Sequence, residues 1–372
     1  MDLNNNKQTL RVLIASDAAP SRNGVGAYYE DLFEPLAARV HTLRLFSPRI
    51  DGNGRWQAAL SLPLPGDRTQ RLCLPSLPRL RHLFAEVQPN IVVVATPGLF
   101  GLSAALLASS RNIPLVSAFH TSFTQLTALY WPGPLRGRLV GWYFRRANRS
   151  LLTRSCCVLG NSPTILAEAQ ALHACETQLI GTPVARDFLA PARRAHSGTL
   201  RRFLFAGRLA REKNLQEVLD AATALPNLQF AIAGDGPLRT TVEVAAQRLP
   251  NLRYLGWLER EALRQALDEH DALLLPSHFE TFGTVALEAM ARQRLAIVSP
   301  GCGITDWPTL RPSLAVMQPG ETLLATLERL AVLTPQQILA QVDDGRLAAE
   351  QLNAQVADEW LRVLTQHANK EP

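Results

Sequence analysis

The chain has 372 residues, of which 47% are hydrophobic and 19% charged, with a formal net charge of +6. That length exceeds what one hydrophobic core usually serves, so the composition predicts an ordinary soluble globular protein of two domains. The longest apolar-rich stretch, Leu99 to Ala108, is too short to span a bilayer, which excludes an integral membrane protein of the helical kind.

The start, Met1-Asp-Leu-Asn-Asn-Asn-Lys7, is polar, and Val12-Leu-Ile-Ala15 is too short for the apolar core of a leader, so no secretory signal is expected. Five cysteines (Cys73, Cys156, Cys157, Cys175 and Cys302) are odd in number and lack C-x-x-C spacing. They are expected to be reduced residues of a cytosolic protein. Short β-like runs alternate with helical stretches, first at Arg11 to Ser16, Ile91 to Ala95, Pro114 to Ala118 and Cys156 to Gly160. After the first run comes Ser16-Asp17-Ala-Ala-Pro20-Ser-Arg22-Asn23-Gly24-Val25-Gly26. Gly24 and Gly26 would let the backbone approach a phosphate closely, although an ordinary turn uses the same residues. Phe119-His120-Thr121-Ser122-Phe123 ends another run, where His120 reads either as a structural histidine or as a site residue.

Charge is distributed unevenly. Residues 1–180 carry a net +8 and residues 181–372 a net −2. From Val87 to Ala167 there is no acidic residue, yet seven arginines occur. Five of them, Arg136, Arg138, Arg145, Arg146 and Arg149, share a segment with Trp142, Tyr143 and Phe144. Such a surface attracts anionic partners and suits lipid headgroups. The alternative is an arginine-rich solvated helix packed on its aromatic face.

The Pro- and Gly-rich stretch from Gly181 to Gly198 reads as a linker, after which the alternation restarts at Arg202 to Ala206. It continues through Gln229 to Ala233, Arg253 to Leu255, Ala272 to Leu275, Leu295 to Val298 and Leu314 to Met317. Two such series predict two α/β domains with parallel sheets covered on both faces. Phe205-Ala-Gly-Arg208-Leu-Ala-Arg-Glu-Lys213-Asn-Leu215 follows the first strand of the second series. Arg208 and Lys213 suit a diphosphate, and Lys213 is one of only three lysines. The strings Gly234-Asp235-Gly236-Pro237 and Tyr254-Leu-Gly256-Trp257 read as turns.

The densest segment is His278-Phe279-Glu280-Thr281-Phe282-Gly283-Thr284-Val285-Ala286-Leu287-Glu288-Ala289-Met290. Glu280 lies just past a buried strand, and Glu288 lies on a predicted helix starting near Thr284. A carboxylate on an apolar helix face needs partners, and ribose hydroxyls are suitable ones. Phe282-Gly283-Thr284 would aim backbone N–H groups at an anion over the helix N-terminus. The alternative is a capped helix with one exposed acid and one core acid paired to an arginine.

These strings resemble the GT-B glycosyltransferases, in particular the retaining family 4 of mannosyltransferases and sulfoquinovosyl- or glucosyl-lipid synthases. The resemblance runs from about residue 11 to about residue 300. It implies a GT-B fold: two doubly wound Rossmann-like domains with a cleft between them. The domains would be an acceptor-side domain over 1–182, a nucleotide-sugar domain over 183–349, and a last helix near 350–372 returning to the first. It further implies Glu280 on the donor sugar, Glu288 on ribose, Arg208 and Lys213 on the leaving diphosphate, and His120 at the reacting centre. Gly24, Gly26, Phe282, Gly283 and Thr284 would line the donor. Arg22 stands where the family usually has glutamine, and Ala291-Arg-Gln-Arg-Leu-Ala-Ile-Val298 lacks the family's Gly and Pro.

The resulting expectation is hexose transfer from a GDP-mannose- or UDP-glucose-type donor to a membrane lipid such as diacylglycerol. A soluble, polysaccharide or lipopolysaccharide acceptor is the second reading. No Asp-x-Asp or His/Cys cluster is readable, so no cofactor and no metal are expected. Arg138, Arg145, Arg146 and Arg149 would meet an anionic membrane surface, placing the protein in the cytoplasm at the inner face of the membrane. No nucleic-acid-reading motif is present. A sugar-nucleotide epimerase and a non-catalytic membrane-binding scaffold are the rivals from other classes. Glu280, Glu288 and the His-Thr string argue against the first, and intact Arg208 and Lys213 against the second.

Overall fold

The computed structural model describes residues 10–20, 24–50, 56–64, 67–122, 134–172, 174 and 176–368. The chain forms two compact units. One runs to Pro183 and resumes at Ala354, and the other is Val184–Asn353 together with a four-residue stretch before Gln70.

The strands up to the first boundary are β1 (Arg11–Ala15), β2 (Thr42–Phe46), β3 (Arg49–Ile50), β4 (Trp56–Gln57), β5 (Leu60–Leu64), β6 (Asp67–Leu74), β7 (Ile91–Val94), β8 (Leu115–Ala118), β9 (Cys157–Gly160) and β10 (Thr177–Leu179). Six of them make one sheet in the order β10-β9-β8-β7-β1-β2. Every neighbouring pair in it is parallel. Strands β7, β8 and β9 are buried at every position, as expected where helices cover both faces. The remaining four strands form two small two-stranded sheets.

Helices α1 (Gly24–Ala37), α2 (Leu77–Val87), α3 (Leu99–Ser109), α4 (Pro134–Leu152) and α5 (Pro163–Ala171) belong to this unit. Two begin with a hydroxyl cap followed by proline. The Ser76 and Ser162 hydroxyls accept from the N–H groups of Arg79 and Ile165, both at 3.4 Å. Helix α3 has only Gly98 at its cap position, and Asp17 serves instead. Its carboxylate accepts from the N–H groups of Phe100 (2.8 Å) and Gly101 (3.3 Å) and from the Thr96 hydroxyl (2.7 Å).

The second unit repeats the architecture with β11 (Arg202–Ala206), β12 (Gln229–Ala233), β13 (Leu252–Gly256), β14 (Ala272–Leu275), β15 (Leu295–Val298) and β16 (Ala315–Val316). They lie in the order β13-β12-β11-β14-β15-β16, all parallel. The helices are α6 (Arg186–Leu189), α7 (Leu215–Ala224), α8 (Arg239–Arg248), α9 (Arg260–Glu269), α10 (Thr284–Ala291), α11 (Leu323–Leu330) and the 34-residue α12 (Pro335–Ala368). Ala348, Ala349 and Leu352 of α12 pack in the core of the second unit. Val356, Trp360, Val363 and Leu364 pack in that of the first. The expected pair of doubly wound sheets is therefore present.

The stretch from Gly181 to Gly198 is not a free linker. Val184 and Phe188 are buried in the core of the second unit. Backbone carbonyls of the same stretch are held by buried arginines. Arg292 donates to the carbonyls of Phe188 (3.2 Å) and Pro191 (3.1 Å). Arg294 donates to the Arg194 carbonyl (2.5 Å) and, outside the stretch, to those of Leu267 and Asp268, both at 2.9 Å. These arginines occupy the segment where the family's Gly and Pro are missing, so the departure is a structural tie.

Candidate active site

In a parallel doubly wound sheet, ligands bind beyond the carboxyl ends of the strands. In the second unit the segments after β11 and β14 come together there. After β11 the chain turns at Gly207, and the Leu209 N–H donates to the Asp235 carbonyl at 2.9 Å. Leu238 donates back to the Leu209 carbonyl at 2.8 Å, so the Gly-Asp-Gly-Pro turn clamps the Arg208 loop. A short 3-10 turn, Arg211–Lys213, follows, and Asn214 with φ 51° starts α7.

Lys213 Nζ is ion-paired with the Glu280 carboxylate, 67 positions away in sequence. Both side chains keep a partly exposed edge. Arg208 Nη1 lies 3.5 Å from Glu212 Oε1, and the Glu212 carbonyl accepts from the His278 N–H at 2.8 Å. Glu280 is fixed from its other side. Its N–H donates to the Gly301 carbonyl (3.1 Å), and its carbonyl accepts from Gly303 (2.9 Å), making an isolated parallel bridge to Cys302.

Phe282 is buried, edge-on to Trp307 at 6.2 Å between ring centroids, so it can offer a ligand only its backbone. Gly283 has φ 104°, a left-handed conformation that favours glycine, and it immediately precedes α10. No side chain caps this helix, whose first turn, starting at Thr284, carries the N–H groups that lack intrahelical acceptors. Glu288, one turn on, is buried, and its Oε1 lies 3.5 Å from Arg260 Nη2. The Arg260 guanidinium also lies over the Phe188 ring, 5.2 Å from its centroid. The sequence reading missed Arg260. Nothing local in Arg260-Glu-Ala-Leu marks it, and only the need of Glu288 for a partner hinted that such a residue existed.

In the first unit, His120 follows the carboxyl end of β8 and is buried. Its Nε2 is 3.1 Å from the Tyr29 hydroxyl, and the Tyr28 ring lies 4.5 Å away. The Tyr28 hydroxyl accepts from Trp360 Nε1 (2.9 Å) and donates to the Gly181 carbonyl (2.9 Å). Gly26 lies in the first turn of the helix that carries both tyrosines. A Cβ there would sit 2.0 Å from the Ala19 carbonyl oxygen, so close backbone packing alone requires this glycine. Gly24 is the first, exposed residue of the same helix. Arg22 and Asn23 lie outside the described residues.

Burial pushes the His120 imidazole down to about 4, so it is neutral near pH 7. Its value in the unfolded chain is about 6.5. Between those values the unfolded chain binds more protons, so folding stability falls as pH drops from about 6.5 towards 4. The contribution reaches roughly 3 kcal/mol. Urea unfolding at pH 7 and pH 4.5 checks this: wild type should lose more stability than His120→Gln, and parallel losses would refute the assignment.

Helix α4 carries the predicted basic surface. Arg138, Arg145, Arg146 and Arg149 are exposed, and none makes an ion pair among the described residues. Leu139, Trp142 and Tyr143 beside them are 67%, 57% and 43% exposed. No helix among the described residues is long and apolar enough to cross a membrane.

Known proteins resemble this chain in sequence and in fold. Residues 190–307 match the model of the glycosyl transferases group 1, and residues 23–181 that of the glycosyl transferase 4-like domain. The chain is 26% identical over 258 residues to the sulfoquinovosyl transferase of Arabidopsis thaliana, covering 66% of this chain and 49% of that one. It thus spans about half the length of that relative. It is 26% identical over 310 residues to a GDP-mannose-dependent alpha-mannosyltransferase of Mycolicibacterium smegmatis, covering 78% and 79% of the two chains. Among solved structures, a sucrose-phosphate synthase from Thermosynechococcus elongatus superposes with a TM-score of 0.71 at 19% identity, over 95% of this chain and 98% of that one. The fold is GT-B. With both domain models matched, the chain belongs to the glycosyltransferases of the group 1 and 4-like type.

Proposed function

We propose that the protein is a retaining hexosyltransferase that takes its sugar from a nucleotide diphosphate donor of the GDP-mannose or UDP-glucose type. The observation that carries this reading is the Lys213–Glu280 pair. It joins a cation and an acid from two separate motifs beside the side-chain-free N-terminus of α10. In the proposed complex, Arg208, Lys213 and the first N–H groups of α10 hold the diphosphate, whose charge grows as the glycosidic bond breaks. Glu280 binds the sugar and Glu288, steadied by Arg260, binds ribose. His120 contributes a neutral imidazole on the first unit. The leaving phosphate takes the acceptor proton while the acceptor attacks the same face of the sugar.

Calorimetry with the free nucleotide diphosphate and with the nucleotide sugar separates the two acids. Glu288→Ala should weaken both ligands, whereas Glu280→Ala should weaken the nucleotide sugar and leave the bare diphosphate nearly unchanged. Equal losses for the two ligands in Glu280→Ala would overturn the roles. A thermal-shift screen of nucleotide sugars names the donor, because a ligand that binds only the folded state raises its stability by mass action.

The acceptor in this reading is a membrane lipid such as diacylglycerol, reached from the α4 face. Each basic residue near an anionic bilayer contributes about 1 kcal/mol. Changing Arg138, Arg145, Arg146 and Arg149 to glutamine should release the protein from anionic liposomes and leave nucleotide binding intact. If the wild-type protein ignores such liposomes at low salt, a soluble or saccharide acceptor replaces the lipid.

A further inference from the structure

The first unit holds a group of side chains that the transfer reaction does not use. Cys157, Glu176 and His367 each bring a metal-ligating atom to within 4.8 Å of the other two. Cys157 opens β9, and Glu176 immediately precedes β10. Thr177 is in register with Val158, and the Val158 N–H donates to the Glu176 carbonyl at 2.8 Å. Cys157 and Glu176 are therefore cross-strand neighbours whose side chains leave the same face of the sheet.

His367 reaches them from the last turn of α12. The residues of α12 in this core, Val356, Trp360, Val363 and Leu364, follow the 3.6-residue period of a buried stripe. His367 occupies the next position of that stripe and is fully buried. An imidazole stands there where packing alone would be served by an aliphatic side chain. Its Nε2 lies 3.7 Å from Glu176 Oε1. That oxygen also accepts from the Gln178 side-chain amide at 2.8 Å, a contact that orients the carboxylate as outer partners orient metal ligands.

We propose that Cys157, Glu176 and His367 bind a zinc ion, with water in the fourth position. One thiolate, one imidazole and one carboxylate in tetrahedral reach suit zinc, while magnesium and calcium prefer all-oxygen shells. Binding releases the Cys157 thiol proton to solvent, and the partly exposed Glu176 side gives the ion a way in. The site lies at the amino ends of the strands, opposite the carboxyl end of β8 where His120 stands. Its role is to staple the end of α12 to the edge of the first sheet.

The test uses the full chain stripped of metal and titrated with Zn²⁺ or Co²⁺ alone. One ion per chain should bind, Co²⁺ should show a thiolate charge-transfer band, and Zn²⁺ should raise the melting temperature. Cys157→Ser should abolish the band, and Cys156→Ser should keep it. Cys157→Ser and Glu176→Gln should each weaken Zn²⁺ by at least the 10–100-fold that loss of an outer partner costs. Glu176→Gln changes a half-exposed side chain and keeps the measurement available if a buried variant fails to fold. Affinity for the nucleotide diphosphate should be unchanged throughout. Absence of stoichiometric metal, or a cobalt band that survives Cys157→Ser, would leave an ordinary Glu–His ion pair beside a cysteine and overturn the proposal.

Discussion

Lys213→Ala and Arg208→Ala are each expected to lower kcat/KM by about 10²–10³-fold, the scale for losing one preorganised electrostatic stabiliser of a developing anion. The two residues are not equivalent. Arg208 is held by Glu212, four positions along, whereas Lys213 is held by Glu280, the acid proposed to touch the sugar. Removing Lys213 therefore does two things. It takes a positive charge from the diphosphate and leaves Glu280 without its ammonium partner. The double variant Lys213→Ala, Glu280→Ala should then lose less than the product of the two single losses, because residues acting as a unit are not additive. Lys213→Arg should recover only part of the activity, since a planar fork cannot replace a compact charge in the same geometry. Circular dichroism and melting temperature should stay near wild type for Lys213→Ala, which separates lost chemistry from lost fold. Near-normal kinetics in both single variants would remove these residues from the mechanism.

What could be read from the chain depended on whether the physical signal was local. Ile91–Val94, Ala272–Leu275 and Leu295–Val298 are continuous apolar runs, and each is a strand buried on both faces. Strand β2 escaped notice because it lies at a sheet edge, and its Arg44 is exposed and paired with Glu86 at 3.2 Å. Strand β10, at the opposite edge, is three residues long and has no buried position to betray it. The site followed the same rule. Arg208, Lys213, Glu280 and Gly283 sit in compact strings and could be named in advance. Their partners could not: Arg260 lies 28 positions before Glu288, and Tyr29 lies 91 positions before His120. Asp17 appeared in the sequence as part of a possible phosphate loop, yet its carboxylate caps α3. Local composition shows that an acid needs a partner, and only the folded chain shows which one.

The buried arginines after α10 carry the largest expected effect on stability. Arg292 is fully enclosed and makes a two-pronged pair with Asp268, Nε to Oδ1 at 2.8 Å and Nη2 to Oδ2 at 2.7 Å. Its remaining donors go to the backbone carbonyls of Phe188, Ala190 and Pro191. Arg292→Ala would strand a buried carboxylate and leave those carbonyls without their donor. Breaking one side of a buried pair costs about 3–5 kcal/mol. For a unit of this size each kcal/mol lowers the melting temperature by roughly 2–4 °C, so a fall of about 10 °C is expected. Arg292→Lys should fail almost as badly, because an ammonium cannot match the carboxylate on two prongs while also serving the carbonyls. Replacing both partners with apolar residues, Arg292→Met with Asp268→Leu, should recover part of the loss by removing the stranded charge. Recovery should be incomplete, since the carbonyls remain unserved. The damage should also reach the donor side. Arg292 grips the backbone of Phe188, and the Phe188 ring underlies Arg260, which pairs with Glu288. Nucleotide affinity in Arg292→Ala should therefore fall even at temperatures where the protein stays folded. A variant that melts within a few degrees of wild type would show that the pair and its carbonyl contacts contribute little, and that the stretch from Gly181 to Gly198 is held by its apolar anchors alone.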